Sequence, residues 1–149
     1  MIRTRLSYEY DAPTIAEYQL KMAKETEGLI LDKESVIEGV ASVYRDPYKG
    51  KYYVATEDDE IIASLLITQE WSDWRNNWVM WLQSVYVIPE KRGMGIFKQM
   101  YNYILAQANE SDEVAGLRLY VDIKNIAARE VYTKLGMNGD HYQVFEYMK

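Results

Sequence analysis

Alternating apolar and polar positions open the chain, and the pattern then changes to helical spacing. Residues 2–8 alternate and predict a strand, after which Pro13 marks the start of a helix that runs to about Glu27. Asp32 can cap a second helix, and Pro47 ends it because the residue before a proline disfavours helical geometry. Two helices therefore follow the first strand.

The middle of the chain has the pattern of an antiparallel meander. Apolar runs at 52–55 and 61–68 lie on either side of an acidic turn, which predicts a hairpin. A third strand is expected from about residue 78 to 87, and it ends at Pro89. The link before this strand, residues 71–76, combines tryptophans with polar residues and invites a functional interpretation.

The second half of the chain continues as turn, helix, strand, helix and strand. After a turn that contains glycines, apolar residues at four-residue spacing predict one face of a helix: Ile96, Met100, Ile104 and Ala108. A strand is expected at 117–121, followed by a short helix that Asn125 caps and Gly136 ends. Alternation at 142–147 predicts a last strand.

Composition limits the classes of protein that this chain can represent. With 149 residues, 48% of them hydrophobic and 27% charged, it fits one compact domain, residues 1–149. Cysteine is absent and His141 is the single histidine, which excludes disulfides, thiol nucleophiles and Cys/His zinc sites. We therefore predict no metal.

Net charge and hydropathy also argue against two kinds of partner, nucleic acid and membranes. The net charge is −6 and no run of Lys and Arg could neutralise a row of phosphates, so nucleic acid is not expected as a partner. The first residues lack the apolar core of a signal peptide, and no apolar run approaches about 18 residues. We expect a cytoplasmic protein that does not enter a membrane.

Glycines between a predicted strand and a predicted helix form the most informative stretch. Gly93 and Gly95 leave backbone N–H groups available at the positive end of the helix, an arrangement that suits phosphate oxygens. The stretch does not fit the P-loop pattern, and Lys98 replaces the third glycine of a dinucleotide-binding loop. The glycines alone are equally compatible with an ordinary turn.

Two motifs together resemble the GNAT superfamily of acyl-CoA N-acyltransferases. Its pyrophosphate loop reads Q/R-x-x-G-x-G/A after a strand that ends in valine-x-proline, and the matching residues here are Pro89, Arg92, Gly93 and Gly95. Phe97 stands where the family usually has a very small residue. The second motif, N-x-x-A-x-x-x-Y-x-x-x-G-F, matches residues 125–137 except that Met137 replaces the aromatic residue.

The second motif places two polar side chains on one side of a helix. Asn125 and Tyr132 are seven positions apart, and a helix drifts only about 20° over seven residues. One ligand can therefore touch both. The alternative for Tyr132 is a packed core tyrosine, in a chain that has 14 tyrosines.

The resemblance implies a GNAT-like α/β domain, with a mixed, mostly antiparallel central sheet flanked by helices, and acetyl-CoA as co-substrate. Val85, Tyr86 and Val87 would pair their backbone with the pantetheine arm, which Asn125 and Ala128 would also line. The pyrophosphate would lie on the loop residues Arg92, Gly93, Met94, Gly95, Ile96, Phe97 and Lys98, with a charge-assisted contact from Arg92.

The resemblance also implies direct attack of a primary amine on the thioester in a ternary complex. A strand N–H near Val85 would polarise the carbonyl, and Tyr132 would protonate the leaving thiolate as general acid. Many relatives carry a carboxylate at positions that align with Gln83 and Ser84. Neither residue can act as a general base here, so the sequence does not assign one. Glu70, Asp73 and His141 acting through water are the alternatives, each of which is individually better explained as a surface group.

The acceptor is expected to be a small-molecule or peptide amine. Asp73 and Trp74 could receive a cationic amine by charge pairing and cation–π contact, and Gln83 lies on the strand that presents the thioester. Trp71 and Trp78 are better explained as hairpin packing residues. The prediction is an N-acetyltransferase; the alternative is a non-catalytic acyl-CoA-binding or protein-interaction module with the same fold. The sequence does not decide whether the protein forms a homodimer.

Overall fold

A five-stranded mixed sheet forms the centre of the first of two compact units. The computed structural model describes residues 1–149, and its units are Met1–Arg118 and Leu119–Lys149. The strands follow chain order across the sheet: β1 Arg3–Leu6, β2 Lys51–Glu57, β3 Glu60–Ser72, β4 Asn77–Val87 and β5 Val114–Arg118. Neighbours are antiparallel except β4 and β5, which are parallel. The mixed, mostly antiparallel sheet is confirmed, and the single domain stays a prediction.

Four helices accompany these strands: α1 Ala12–Glu27, α2 Lys33–Arg45 and α3 Ile96–Glu110 in the first unit, and α4 Ile126–Lys134 in the second. Local signals set their ends. The Asp32 carboxylate accepts a hydrogen bond from the Ser35 N–H at 2.8 Å, which caps α2, and Gly28 ends α1 in left-handed geometry. None of the helices is both long enough and apolar enough to cross a membrane.

Helices cover both faces of the sheet in the first unit. Tyr52 and Val54 pack with α1 and α2, in a core that also contains Ile15 and Val40. Tyr53 points to the opposite face, because its hydroxyl donates to the side chain of Gln107 on α3 at 3.2 Å. The alternation of strand side chains therefore provides two apolar layers from one run of sequence.

Two sequence-predicted strands differ from the structure. β5 spans Val114–Arg118, about three residues before the predicted 117–121, and the second unit contains no strand at 142–147. Alternation shows that every second residue is apolar, whereas a strand also requires a backbone partner that a short window of sequence does not reveal. The link at 71–76 is also shorter than expected, since β3 continues to Ser72 and only residues 73–76 form the turn.

Candidate active site

A β-bulge interrupts β4 shortly before its end. Gln83 and Tyr86 pair with β3 residues that are only two positions apart, so Ser84 and Val85 share one partner position. Ser84 has a φ of 52°, in the left-handed region that few residues other than glycine adopt. Such a bulge bends its strand and redirects the backbone groups around it. The bulge therefore changes the direction of the N–H groups near Val85, where the sequence predicts contact with the thioester.

The edge of β4 also separates from β5 before the bulge. The parallel pairing runs from Trp78 to Trp81 on β4, and β5 ends at Arg118. From Leu82 to Val87 the β4 edge lies beyond the ladder with β5. This edge can therefore pair with an extended ligand, as a strand does.

The glycine loop follows β4 and leads into α3. Gly93 and Gly95 have φ values of 77° and 76°, and a Cβ atom on either glycine would meet nothing within 4 Å. Gly95 is the N-cap of α3, and no side chain caps the helix. The first N–H groups of a helix lack partners within it, so here they are available to an anion at the positive end of α3.

Arg92 is held by the protein on the strand side of this loop. Its Nε donates to the Val87 carbonyl at 2.9 Å, and a terminal nitrogen donates to the Glu25 carboxylate at 2.6 Å. The guanidinium also lies 5.5 Å from the centre of the Tyr86 ring, which makes a cation–π contact. Sequence reasoning missed Glu25, because no motif marks a glutamate near the end of α1 that lies 67 positions before its partner.

The side chains of the remaining loop residues lie in different environments. Ile96 is buried in the core, whereas Met94 is exposed. The Phe97 ring lies 6.2 Å from that of Tyr101, one helical turn further along α3. The ring that replaces the usual small residue therefore packs along the helix.

In the second unit, α4 carries the predicted general acid. The Asn125 side chain accepts a hydrogen bond from the Ala128 N–H at 3.1 Å and so caps the helix. Tyr132 is partly buried, and this burial raises the pKa of its hydroxyl above the ordinary value of 10. A tyrosine in this environment stays protonated at neutral pH, as a proton donor requires.

The predicted acceptor residues lie at two different places, one on β4 and one in the turn before it. Gln83 adjoins the bulge, and its Nε2 donates to the Thr68 hydroxyl. Asp73 and Trp74 lie in the turn before β4, and the span from Asn77 to Val85 is roughly 26 Å at about 3.3 Å per residue. The structure thus brings Gln83 close to Val85, but it does not bring the turn there.

Other polar and aromatic candidates have partners of their own. The Glu70 carboxylate is paired with Arg118 at 2.5 Å. Trp71 and Trp78 are a cross-strand pair with ring centres 5.0 Å apart in edge-to-face geometry, which confirms their packing role. His141 lies in the second unit, where its ring contacts that of Tyr142. No cluster of three or more His, Cys, Asp or Glu residues has the arrangement of a metal site.

This sheet, with a bulged fourth strand that leads through a glycine loop to an uncapped helix, is the architecture expected of an acyltransferase of the GNAT class. The chain belongs to the acetyltransferase (GNAT) family, whose model matches residues 10–137. The resemblance of the two sequence motifs to this family is therefore confirmed.

Solved structures agree with this assignment. A possible acetyltransferase from Clostridium difficile 630 is 41% identical and superposes with a TM-score of 0.92, covering 100% of this chain and 98% of the other. A ribosomal-protein-alanine N-acetyltransferase from Brucella melitensis biovar Abortus 2308 is 15% identical, with a TM-score of 0.81 over 100% of both chains.

A third structure is described as a predicted acetyltransferase with acetyl-CoA from Clostridium acetobutylicum. It is 19% identical, with a TM-score of 0.76 over 98% of this chain and 96% of the other. At the low identity of this structure and the Brucella structure, the likeness concerns the fold alone. None of the curated proteins compared with this sequence matches it significantly.

Proposed function

We propose that this protein transfers the acetyl group of acetyl-CoA to a primary amine in a ternary complex. One observation carries the proposal: the bulge at Ser84 and Val85 and the open glycine loop lie on one continuous segment of chain. This segment begins on the part of the β4 edge that does not pair with β5. The bulge supplies redirected strand N–H groups, and the loop supplies helix N–H groups a few residues later. A ligand with a thioester at one end and a diphosphate further along matches this order of donors.

The residues present fit coenzyme A. Because both glycine Cβ positions face open space and no side chain caps α3, diphosphate oxygens can approach the N–H groups of the loop from Gly93 to Lys98. Val85, Tyr86 and Val87 would offer their backbone to the pantetheine amides, and Asn125 and Ala128 would complete the arm's contacts. Arg92 would contribute no direct donor, since its backbone N–H donates to the Pro89 carbonyl at 3.3 Å and its side chain is bound to Glu25 and to the Val87 carbonyl.

When bound, acetyl-CoA supplies an electrophilic thioester carbonyl. The Val85 N–H would donate a hydrogen bond to the carbonyl oxygen as negative charge develops on it. The amine nitrogen forms the new bond to the acetyl carbon, the carbon–sulfur bond breaks, and the ammonium proton passes to solvent. Tyr132 would donate its proton to the thiolate and regain one from solvent, since a tyrosine whose pKa is not below its ordinary value of 10 is protonated at neutral pH.

The acceptor would bind beside Gln83 as a weakly basic amine. A lysine-like amine, with a pKa of about 10.4, costs roughly 4.6 kcal/mol to deprotonate at pH 7, whereas an α-amine near 7.8 costs only about 1 kcal/mol. Gln83 cannot take a proton, and Glu70 is engaged with Arg118. An amine that is already partly neutral removes the need for a strong base. Asp73 and Trp74 would join the acceptor site only for a peptide long enough to follow β4.

The neutral Gln83 also favours a second candidate, a module that binds acyl-CoA without turnover. Turnover distinguishes the two functions. We expect thiol release from acetyl-CoA in the presence of α-amino acids or peptides, and none without the protein. Tight CoA binding without thiol release across amino acids, peptides and polyamines would instead support the module.

A further inference from the structure

Glu25 connects the end of α1 to the residue that begins the glycine loop. Its Oε2 accepts a hydrogen bond from Arg92 at 2.6 Å, and its Oε1 accepts one from the Tyr86 hydroxyl at 3.3 Å. The cation of Arg92 lies over the same Tyr86 ring. Three elements, α1, β4 and the loop, therefore meet at one carboxylate.

The two ends of this connection differ in rigidity. α1 is anchored in the core by Ile15 and Ala16, which are almost completely buried, so Glu25 extends from a fixed helix. The loop contains two glycines in left-handed geometry, and glycine loses more conformational freedom on ordering than any other residue. Side-chain anchors on the loop therefore determine how well its N–H groups are positioned before a ligand binds.

We propose that Glu25 is a positioning residue for the CoA loop, and that Arg92 acts through Glu25 and Val87 to hold the loop instead of neutralising the diphosphate. The inference rests on the proposed function, because it assumes that this loop binds CoA. A second ion pair, between Lys91 and Glu57, anchors the adjoining turn in the same way. Both anchors therefore lie at the start of the loop, and each joins it to an element that precedes it in sequence.

The proposal and its alternative predict opposite signs for one substitution. If Arg92 bound the diphosphate directly, Glu25→Gln would release the guanidinium from a competing carboxylate and strengthen CoA binding. If Glu25 positions the loop, the same substitution removes the ion pair and weakens CoA binding. The near-equal size of Gln and Glu and the partial exposure of this pair leave the fold unaffected in either case.

The experiment measures the Kd of CoA by calorimetry for the wild type, Glu25→Gln, Arg92→Gln and the double variant. We expect each single change to weaken binding about two- to tenfold, and the double variant to bind no more weakly than Arg92→Gln. Glu17→Gln is the matched control, because Glu17 forms an ion pair with Lys21 on the same helix, and its CoA affinity should not change.

A steady-state readout separates positioning from a general loss of structure. Glu25→Gln should raise the KM for acetyl-CoA while leaving kcat within about twofold, since the loop binds the donor before and during the reaction. Unchanged or tighter CoA binding in Glu25→Gln, or additive losses in the double variant, would overturn the inference alone. A wild-type protein that binds no CoA would instead overturn the proposed function, and this inference with it.

Discussion

The side chain of Asn125 accepts a hydrogen bond from the backbone N–H of Ala128 at 3.1 Å, so one residue predicted at the cofactor site caps α4 by binding a second. A capped helix begins at a defined residue, and this fixes the direction in which residues further along the helix point. Tyr132 lies seven positions after Asn125 and therefore addresses the same side of α4.

Replacing Tyr132 with Phe should lower kcat by about 10² to 10⁴ without changing the KM for acetyl-CoA, because only the proton donor is lost. Since burial raises the pKa of Tyr132, the wild-type rate should not decline with pH below about pH 10. The measurement is thiol release against pH. Tyr48→Phe, at a residue that is almost fully exposed, is the control. Wild-type turnover in Tyr132→Phe would exclude the general-acid role.

Replacing Gly95 with Glu should abolish CoA binding while the protein stays folded. The new side chain would enter open space, but it would bring a negative charge and left-handed strain to the N-terminus of α3. Gly39→Glu adds the same charge on α2, where a Cβ also meets nothing, and should bind CoA normally. Calorimetry measures the CoA affinity of both variants. Unchanged affinity in a folded Gly95→Glu protein would show that the loop does not bind CoA.

Replacing Trp74 with Ala or Asp73 with Asn should affect only long acceptors. The roughly 26 Å between this turn and Val85 exceeds the reach of a small amine but corresponds to about eight extended residues of peptide. For such a peptide the KM should rise by an amount equivalent to about 0.5 to 2 kcal/mol per substitution, because Trp74 is 88% exposed. For a single amino acid the KM should be that of the wild type. A raised KM for the single amino acid would show that the turn approaches the bulge more closely.

Alkaline pH should unfold the protein in part through buried tyrosines. Burial raises the pKa of Tyr18 and of Tyr52 to about 12. An unfolded tyrosine ionises near pH 10, so between about pH 10 and 12 the folded state retains protons that the unfolded state has lost. This contribution to stability is complete below about pH 10 and is lost as pH rises through the folded pKa, by up to about 1.4 kcal/mol per pH unit for each group.

Urea unfolding from about pH 9 to about pH 11.5 tests this expectation. Tyr52→Phe keeps the ring in the core and removes one ionisable group, so its stability should fall less steeply with pH than that of the wild type. Tyr48→Phe should reproduce the wild-type slope. Parallel slopes for Tyr52→Phe and the wild type would show that Tyr52 does not titrate differently in the folded state.

Features that depend on neighbours in sequence were predictable from the chain itself. The caps at Asp32 and Asn125 and the left-handed glycines at the ends of elements are short-range hydrogen-bonding or steric preferences, so a window of a few residues contains them. The glycine loop and its helix could be placed for the same reason. Alternation likewise predicted the first strand, and apolar runs on either side of an acidic turn predicted β2 and β3, because both patterns are local.

Only the tertiary structure decided which distant groups meet. The bulge at Val85 exists because of the register between β3 and β4, and nothing within β4 alone shows that two of its residues share one partner. Arg92 and Glu25 are 67 positions apart, so their ion pair depends on how α1 packs on the sheet. The sequence by itself determined where helices, turns and the candidate loop occur, since these follow from local interactions. Long-range pairing decided which of these residues form the site, because register and packing are settled by contacts across the whole sheet.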